Sequence, residues 1–228
     1  MATPSDQIRA ALAVVTTTAA RDLLSTVEQE APEKRPGALL TALRLVIPAY
    51  YDAAGALAVT WYDELRDEAN PLTVYTPTII GDSETDWIER EVAKFRKTID
   101  ADIEIESQKL VDEISRLAEK EVARGFRDSI TGNTRMDEDA IGWSRVARPG
   151  ACKFCLMIAA RGAVFREETA HFAAHKSCHC AARPEFEGGE HGPEATVEQY
   201  LASRKRRTEA QNAQLRAYLN KNYPDARG

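Results

Sequence analysis

The stretch from Leu39 to Leu65, LLTALRLVIPAYYDAAGALAVTWYDEL, determines the fold class of this 228-residue chain. Its apolar side chains recur every three or four residues, which places them along one face of an α-helix. Pro48 lies inside the pattern, and we expect it to kink the helix there. The stretch therefore predicts one long helix whose apolar face needs partners.

Two further helical patterns flank this stretch. On the N-terminal side, Thr3 and Pro4 have the residue types of an N-cap and a first helical residue, and apolar side chains then recur to Val27. On the C-terminal side, an apolar stripe follows Ser83 and extends to Phe126, which predicts a helix of about forty residues and ~60 Å. Together the three patterns predict an antiparallel helical bundle whose long helix could protrude into an assembly.

The sequence from 127 to 140, RDSITGNTRMDEDA, is rich in turn-forming residues, and we expect a domain boundary there. Near the C-terminus, Thr196 and Gln199 have the spacing of a capping box that would open a last, basic helix after an acidic linker. The predicted fold is mainly α, with a small C-terminal α+β zinc-binding module and a terminal helix. The predicted domains are a helical region at 1–130, a Cys/His module at 137–187, and the linker with the last helix at 188–228.

All four cysteines of the chain and three of its four histidines lie between residues 151 and 180. A Cys-x2-Cys pair allows two thiolates to face one tetrahedral ion, and a second group of donors follows about twenty residues later. A structural zinc site is closed by four protein ligands, so five candidates compete for four places. The candidate ligands are Cys152, Cys155, His175, Cys178 and Cys180, with His171 and His179 in reserve.

Other interpretations of the cysteines are weaker. We expect no secretion signal and no apolar stretch of the roughly 20 residues that span a bilayer, and in a reducing compartment clustered cysteines favour metal over disulfides. A thioredoxin-like centre would need βαβ surroundings, and a zinc deaminase carries a histidine ahead of its cysteines, whereas every histidine here follows Cys155. An HNH-like nuclease, with a metal and surplus histidines, stays an alternative.

Charge is unevenly distributed along the chain. The net charge is −6, yet the segment from Thr196 to Gly228 has seven basic and three acidic residues. This tail could contact DNA phosphates, although a solvated helical face paired with acids explains the same charges. The sequence has no glycine-rich phosphate loop and no isolated carboxylate pair, so we expect no enzyme. The candidate nucleic-acid contacts are Arg204, Lys205, Arg206 and Arg207.

The order of the motifs CKFC at 152–155, GAVF at 162–165, HKSCHC at 175–180 and Arg183-Pro184 resembles the C-terminal module of the Mu F-like minor head proteins of tailed phages. The resemblance covers roughly residues 143–184, under a fifth of the chain. Lys176 stands where that family has proline and His179 where it has arginine, so a role of that arginine does not carry over.

This resemblance implies a low-copy structural protein in the virion, at the portal or head interior, that assists head assembly, DNA packaging or ejection. Its implied partners are the portal or major capsid protein and packaged DNA, with no membrane and no small-molecule substrate. A module of about forty residues buries too little core to be stable alone, so a structural Zn²⁺ would supply folding free energy. The alternative is a zinc-dependent DNA-binding or HNH-like nuclease protein.

Overall fold

The computed structural model of the chain describes residues 4–31, 34–83, 90, 108–147, 151–160, 180–187 and 208–224. Within these ranges the chain forms five helices and one two-stranded sheet. The mainly α prediction is confirmed, while the zinc-binding module stays a prediction. The elements are α1 (Pro4–Glu28), α2 (Arg35–Glu68), α3 (Gln108–Met136), β1 (Ala140–Val146), α4 (Lys153–Ala160), β2 (Ala181–Phe186) and α5 (Glu209–Asn222).

The predicted helix boundaries hold at the N-terminus but not at the end of α3. Helix α1 begins at Pro4, as predicted, and α2 continues through Pro48. The expected break from residue 127 is wrong, because α3 continues to Met136. The turn-forming side chains there make other hydrogen bonds. The Thr134 hydroxyl donates to the Ile130 carbonyl one helical turn earlier (2.7 Å), and the side-chain amide of Asn133 bonds to Thr78, outside the helix. Most of the first half of the predicted forty-residue helix lies outside the described residues.

The described residues divide into two compact units, and both α2 and α3 contribute to each. The first unit contains residues 4–31, 34–58, 79–83 and 108–129, and the second contains 59–78, 130–147, 151–160, 180–187 and 208–224. The predicted domain division at 1–130, 137–187 and 188–228 stays a prediction. The core of the first unit is aliphatic and aromatic, and its largest buried side chains include Leu12, Leu23, Val27, Leu39, Leu43, Ile47, Tyr51, Val122 and Phe126.

Helices α2 and α3 approach each other closely at Tyr51 and Gly125 within the first unit. A Cβ atom on Gly125 would lie 2.5 Å from the Tyr51 carbonyl oxygen and 2.9 Å from its ring, so only glycine allows this approach. The Tyr51 hydroxyl donates to Asp128 (3.0 Å), and the Arg124 guanidinium lies 5.0 Å from the ring centroid. Burial raises the pKa of Tyr51, and the Asp128 carboxylate raises it further, so the hydroxyl remains a donor.

By length and composition, α2 is the one helix among the described residues that could span a membrane, with a mean hydropathy of 1.2 over an 18-residue window within Gly37–Glu68. The expectation that no apolar stretch is long enough was therefore wrong. Between Leu39 and Tyr62, only Arg44 and Asp52 are charged. The core helix of a folded domain meets the same criterion, and the fully buried Leu43 and Ile47 show that α2 has such a core-facing side.

In the second unit, residues 71–78 form neither helix nor strand, and the side chains of Asn133 and Asp139 hold this segment in place. The amide of Asn133 accepts from the Thr78 N–H (2.9 Å) and donates to the Thr78 carbonyl (2.7 Å), and it also accepts from the Tyr75 hydroxyl (2.8 Å). Asp139 accepts from the backbone N–H groups of Leu72 (3.2 Å) and Thr73 (2.8 Å) and from the Thr73 hydroxyl. These bonds hold the pKa of the Asp139 carboxyl below its ordinary value, with the Thr73 side chain contributing most.

A buried ion pair, which we call the Arg66 clip, joins α2 to the residues that lead into β1. The Arg66 Nε donates to Asp137 (2.8 Å), and its Nη2 donates to Asp139 (2.9 Å) and to the Thr73 carbonyl (2.7 Å). The Tyr62 hydroxyl also donates to Asp137 (3.1 Å), and burial, reinforced by the Asp137 charge, raises the pKa of that hydroxyl. A buried carboxylate is thus surrounded by donors, as its charge requires.

The two strands pair antiparallel, from Ala140 opposite Phe186 to Val146 opposite Ala181. The register shifts between Ala140 and Gly142, and Gly142 has φ of 151°, a conformation that favours glycine at such a bulge. The Phe186 ring meets Tyr62 edge to face, with centroids 5.5 Å apart. Tyr62 therefore contacts both Asp137 of the Arg66 clip and Phe186 of the sheet.

Replacing Gly125 with alanine should destabilise the first unit by about 2 kcal/mol, because the new methyl group would overlap backbone atoms that cannot rotate away. Thermal or urea unfolding of the full chain measures the loss. The control is Gly37→Ala, where nothing lies within 4 Å of the added Cβ and a neutral or slightly stabilising effect is expected. Equal effects of the two substitutions would contradict the close approach at Tyr51.

Replacing Asp137 with asparagine should lower the free energy of unfolding by on the order of 3 kcal/mol, because the Arg66 charge would stay buried with fewer anionic partners. The control, Asp63→Asn, changes an exposed carboxylate on α2, the helix that carries Arg66, and should stay within about 0.5 kcal/mol of the original protein. Urea unfolding compares the two. A near-neutral Asp137→Asn would show that the clip contributes little.

Candidate metal centre

Cys152 and Cys155 form a turn at the start of α4. Cys152 directly precedes the helix, and its carbonyl oxygen accepts the N–H of Leu156 (3.0 Å). Its Sγ accepts the N–H of Cys155 (3.5 Å), so a hydrogen bond from the backbone to sulfur joins the two cysteines of the Cys-x2-Cys motif. Such N–H···S bonds stabilise negative charge on a sulfur ligand.

Cys180 joins this pair from a distant part of the sequence. It lies directly before β2, and with Ala151 and Cys155 it forms a buried cluster against which Cys152 and Leu156 pack. Cys155 and Cys180 are 1% and 2% exposed, whereas Cys152 is partly exposed. The three residues carry thiols rather than disulfides. The fold thus gathers three of the five predicted ligands, which we call the cysteine cluster.

Arg145 of β1 is a charged side chain that contacts this cluster. Its Nη1 lies 3.8 Å from Cys155 Sγ, and the residue is 6% exposed. On the adjacent strand, Glu185 accepts from the Ser144 hydroxyl and lies 4.0 Å from the Arg183 Nε. The small sheet therefore carries buried charges, and one of them faces a predicted ligand.

The remaining predicted ligands, His175 and Cys178, lie outside the described residues, as do His171 and His179. In the ranges that the structure covers, no three His, Cys, Asp or Glu side chains are arranged to hold a metal ion. The donor chemistry nevertheless fits zinc, which prefers thiolate and imidazole ligands, and the cysteine cluster supplies three thiols. The zinc site stays a prediction with three of its candidates placed.

The predicted nucleic-acid contacts Arg204, Lys205, Arg206 and Arg207 also lie outside the described residues, together with the predicted capping box at Thr196 and Gln199. The last helix in the described part of the chain, α5, has its own capping box, in which Thr208 and Gln211 bond to each other's backbone N–H groups (3.2 and 2.9 Å). Lys153 of α4 donates to Asn220 of α5 (2.7 Å), so α5 contacts the helix that carries Cys155.

Neither the contact of Arg145 with Cys155 nor the Arg66 clip was predicted from the sequence. Arg145 and Cys155 are close in sequence, but only the sheet pairing shows that a strand side chain turns toward the helix. Arg66 and Asp137 are 71 residues apart and occur among many other charged residues. Periodicity carries no signal for a pair of this kind.

A model of the VG15 protein family matches residues 2–215, which span α1 to the first part of α5 and include the cysteine cluster. The chain belongs to the VG15 protein family. Comparisons with curated proteins and with solved structures find no match. Membership in the VG15 family indicates a phage virion-associated protein.

The exposures predict an order of thiol reactivity in the metal-free, reduced protein. Cys152 should react with iodoacetamide before Cys155 and Cys180, because it alone of the three is partly exposed. Lys153 places Cys152 and Cys155 in different tryptic peptides, so mass spectrometry can follow each separately. In denaturant all should react alike. Equal native rates for Cys152 and Cys155 would contradict the described packing.

Proposed function

We propose that this VG15-family chain is a minor capsid protein of a tailed phage that acts in head morphogenesis. It would reside at the portal vertex or capsid interior, assist head assembly, DNA packaging or ejection, and catalyse no reaction. The observation that carries the proposal is the cysteine cluster, which lies inside the segment that resembles the Mu F-like minor head proteins. Family membership supports the broader assignment to a phage virion.

In this proposal the cysteine cluster holds a structural Zn²⁺ with four of the five candidates Cys152, Cys155, His175, Cys178 and Cys180. The elements around it are small, since α4 has 8 residues and the sheet has two strands. Such a module gains little from apolar burial, and a bound metal stabilises it by linking folding to ligand binding. A site closed by four protein ligands leaves no position for a reacting water, which agrees with a structural role.

Exposed apolar side chains on residues 71–78 support contact with a head protein. Leu72 and Val74 are 95% and 100% exposed, although Asp139 and Asn133 hold the backbone of this segment in place. In this proposal, Leu72 and Val74 become covered when the partner binds. The resemblance to the Mu F-like minor head proteins implies the portal or the major capsid protein as that partner.

The basic residues Arg204, Lys205, Arg206 and Arg207 directly precede the N-cap of α5, and we propose that they contact packaged DNA. Phosphate contacts release counterions, so binding of duplex DNA should weaken steeply as salt increases. Replacing the four residues with glutamine should flatten that salt response, while Arg216→Gln and Lys221→Gln on α5 serve as the matched basic controls.

Quantitative mass spectrometry of purified particles tests the proposal. We expect a low copy number relative to the major capsid protein, about one zinc per chain in the recombinant protein, and loss of the chain from particles assembled without the portal. Absence from complete particles would contradict the virion role. Metal-dependent plasmid nicking that His175→Ala abolishes would instead identify the nuclease alternative.

A further inference from the structure

We propose that Arg145 is the positioning residue of the metal–thiolate centre: its guanidinium donates to the Cys155 sulfur and offsets the negative charge of the bound ligands. The inference rests on the structural zinc of the proposed function and assigns a role to a residue that is itself no metal ligand. It follows from the position of one buried cation beside a predicted ligand sulfur.

The hydrogen bond between Arg145 and Cys155 is protected from solvent. Arg145 Nη1 lies 3.8 Å from Cys155 Sγ, with 6% of Arg145 and 1% of Cys155 exposed. A buried guanidinium is costly unless anions or strong acceptors surround it. A protonated thiol accepts weakly, whereas a metal-bound thiolate is anionic and accepts a charge-assisted hydrogen bond. The geometry therefore suits a sulfur that carries negative charge.

The chemistry of the candidate ligands creates the need for such a cation. A zinc ion with three thiolates and one imidazole has a net negative charge, and four thiolates make it more negative. The cysteine cluster is otherwise apolar on the side formed by Ala147, Ala151 and Leu156. An anionic centre in these surroundings is stabilised by a guanidinium that donates to one of its ligands.

Sheet pairing fixes Arg145 relative to both cysteine-bearing segments. Arg145 pairs with Ala182 across the two strands, and Ala182 lies two residues after Cys180. Its side chain meanwhile reaches Cys155 on α4. One residue thus contacts the strand that follows Cys180 and the helix that carries Cys155, so its loss should change the ligands' relative positions as well as the local charge.

Arg183 offers a matched control from the same sheet. It is 8% exposed, similar to Arg145, and it lies on the strand partner of β1 opposite Ser144. Its Nε is 4.0 Å from the Glu185 carboxylate, in a different environment from that of Cys155. A substitution of Arg183 removes a similarly buried cation from the same sheet but leaves the Arg145 donor to the Cys155 sulfur in place.

The experiment compares zinc binding by the original full-length chain with that of Arg145→Met, Arg145→Lys and Arg183→Met. Competition with a chromophoric chelator should show affinity lowered about 10–100-fold by Arg145→Met, the usual effect of removing an outer-sphere partner of a ligand. Arg145→Lys, which keeps the charge but not the planar fork, should fall in between. Arg183→Met should stay close to the original protein.

Cobalt substitution supplies a readout that general destabilisation would not produce. With Co²⁺ bound, Arg145→Met should shift the sulfur-to-cobalt charge-transfer band, because the Cys155 sulfur loses a donor, while Arg183→Met should leave it unshifted. Unchanged affinity and spectrum in Arg145→Met, or equal losses in both methionine variants, would overturn the role of Arg145. An original protein that binds neither metal would instead overturn the zinc centre of the proposed function.

Discussion

The second unit depends on the ion pair and the hydrogen bond that the buried Asp137 carboxylate forms with α2. Asp137 accepts from Arg66 and Tyr62 of α2 at 2.8 and 3.1 Å, and its backbone carbonyl accepts the Ala140 N–H at the start of β1. Tyr62 in turn meets Phe186 at the end of β2. A buried carboxylate with these donors is stable only while all of them are present, so the end of α2 and both strand ends are ordered together.

The strands that these contacts order also position the residues of the candidate metal centre. The sheet positions Arg145 on one strand and Cys180 directly before the other, and α4 brings Cys155 to the Arg145 guanidinium. The cysteines are therefore placed by a scaffold whose stability comes partly from buried ion pairs and hydrogen bonds rather than from a large apolar core. A zinc ion would add stability where apolar burial is smallest, between a two-stranded sheet and a short helix. This division of roles suits a structural protein that carries a small module on long helices.

Local patterns in the sequence predicted the features that depend on neighbouring residues. The start of α1 at Pro4 and the long helix through Pro48 follow from periodicity and N-terminal residue preferences, and the Cys-x2-Cys turn follows from its spacing. The end of α3 was missed because Asn133, a turn-former by composition, bonds to residues more than fifty positions earlier. The clip was missed for the same reason, since no local rule pairs Arg66 with Asp137. Long-range polar contacts are where a single sequence carries least information.

Hydrogen exchange of the full-length protein before and after zinc chelation tests whether metal orders the elements around the cysteine cluster, which are β1, α4 and β2, and leaves the helices of the first unit unaffected. We expect hydrogen-exchange protection to fall in β1, α4 and β2 on chelation and to return when zinc is restored, while α1 and residues 35–58 of α2 keep their protection. Unchanged protection in β1, α4 and β2, or an equal loss in α1, would contradict this expectation.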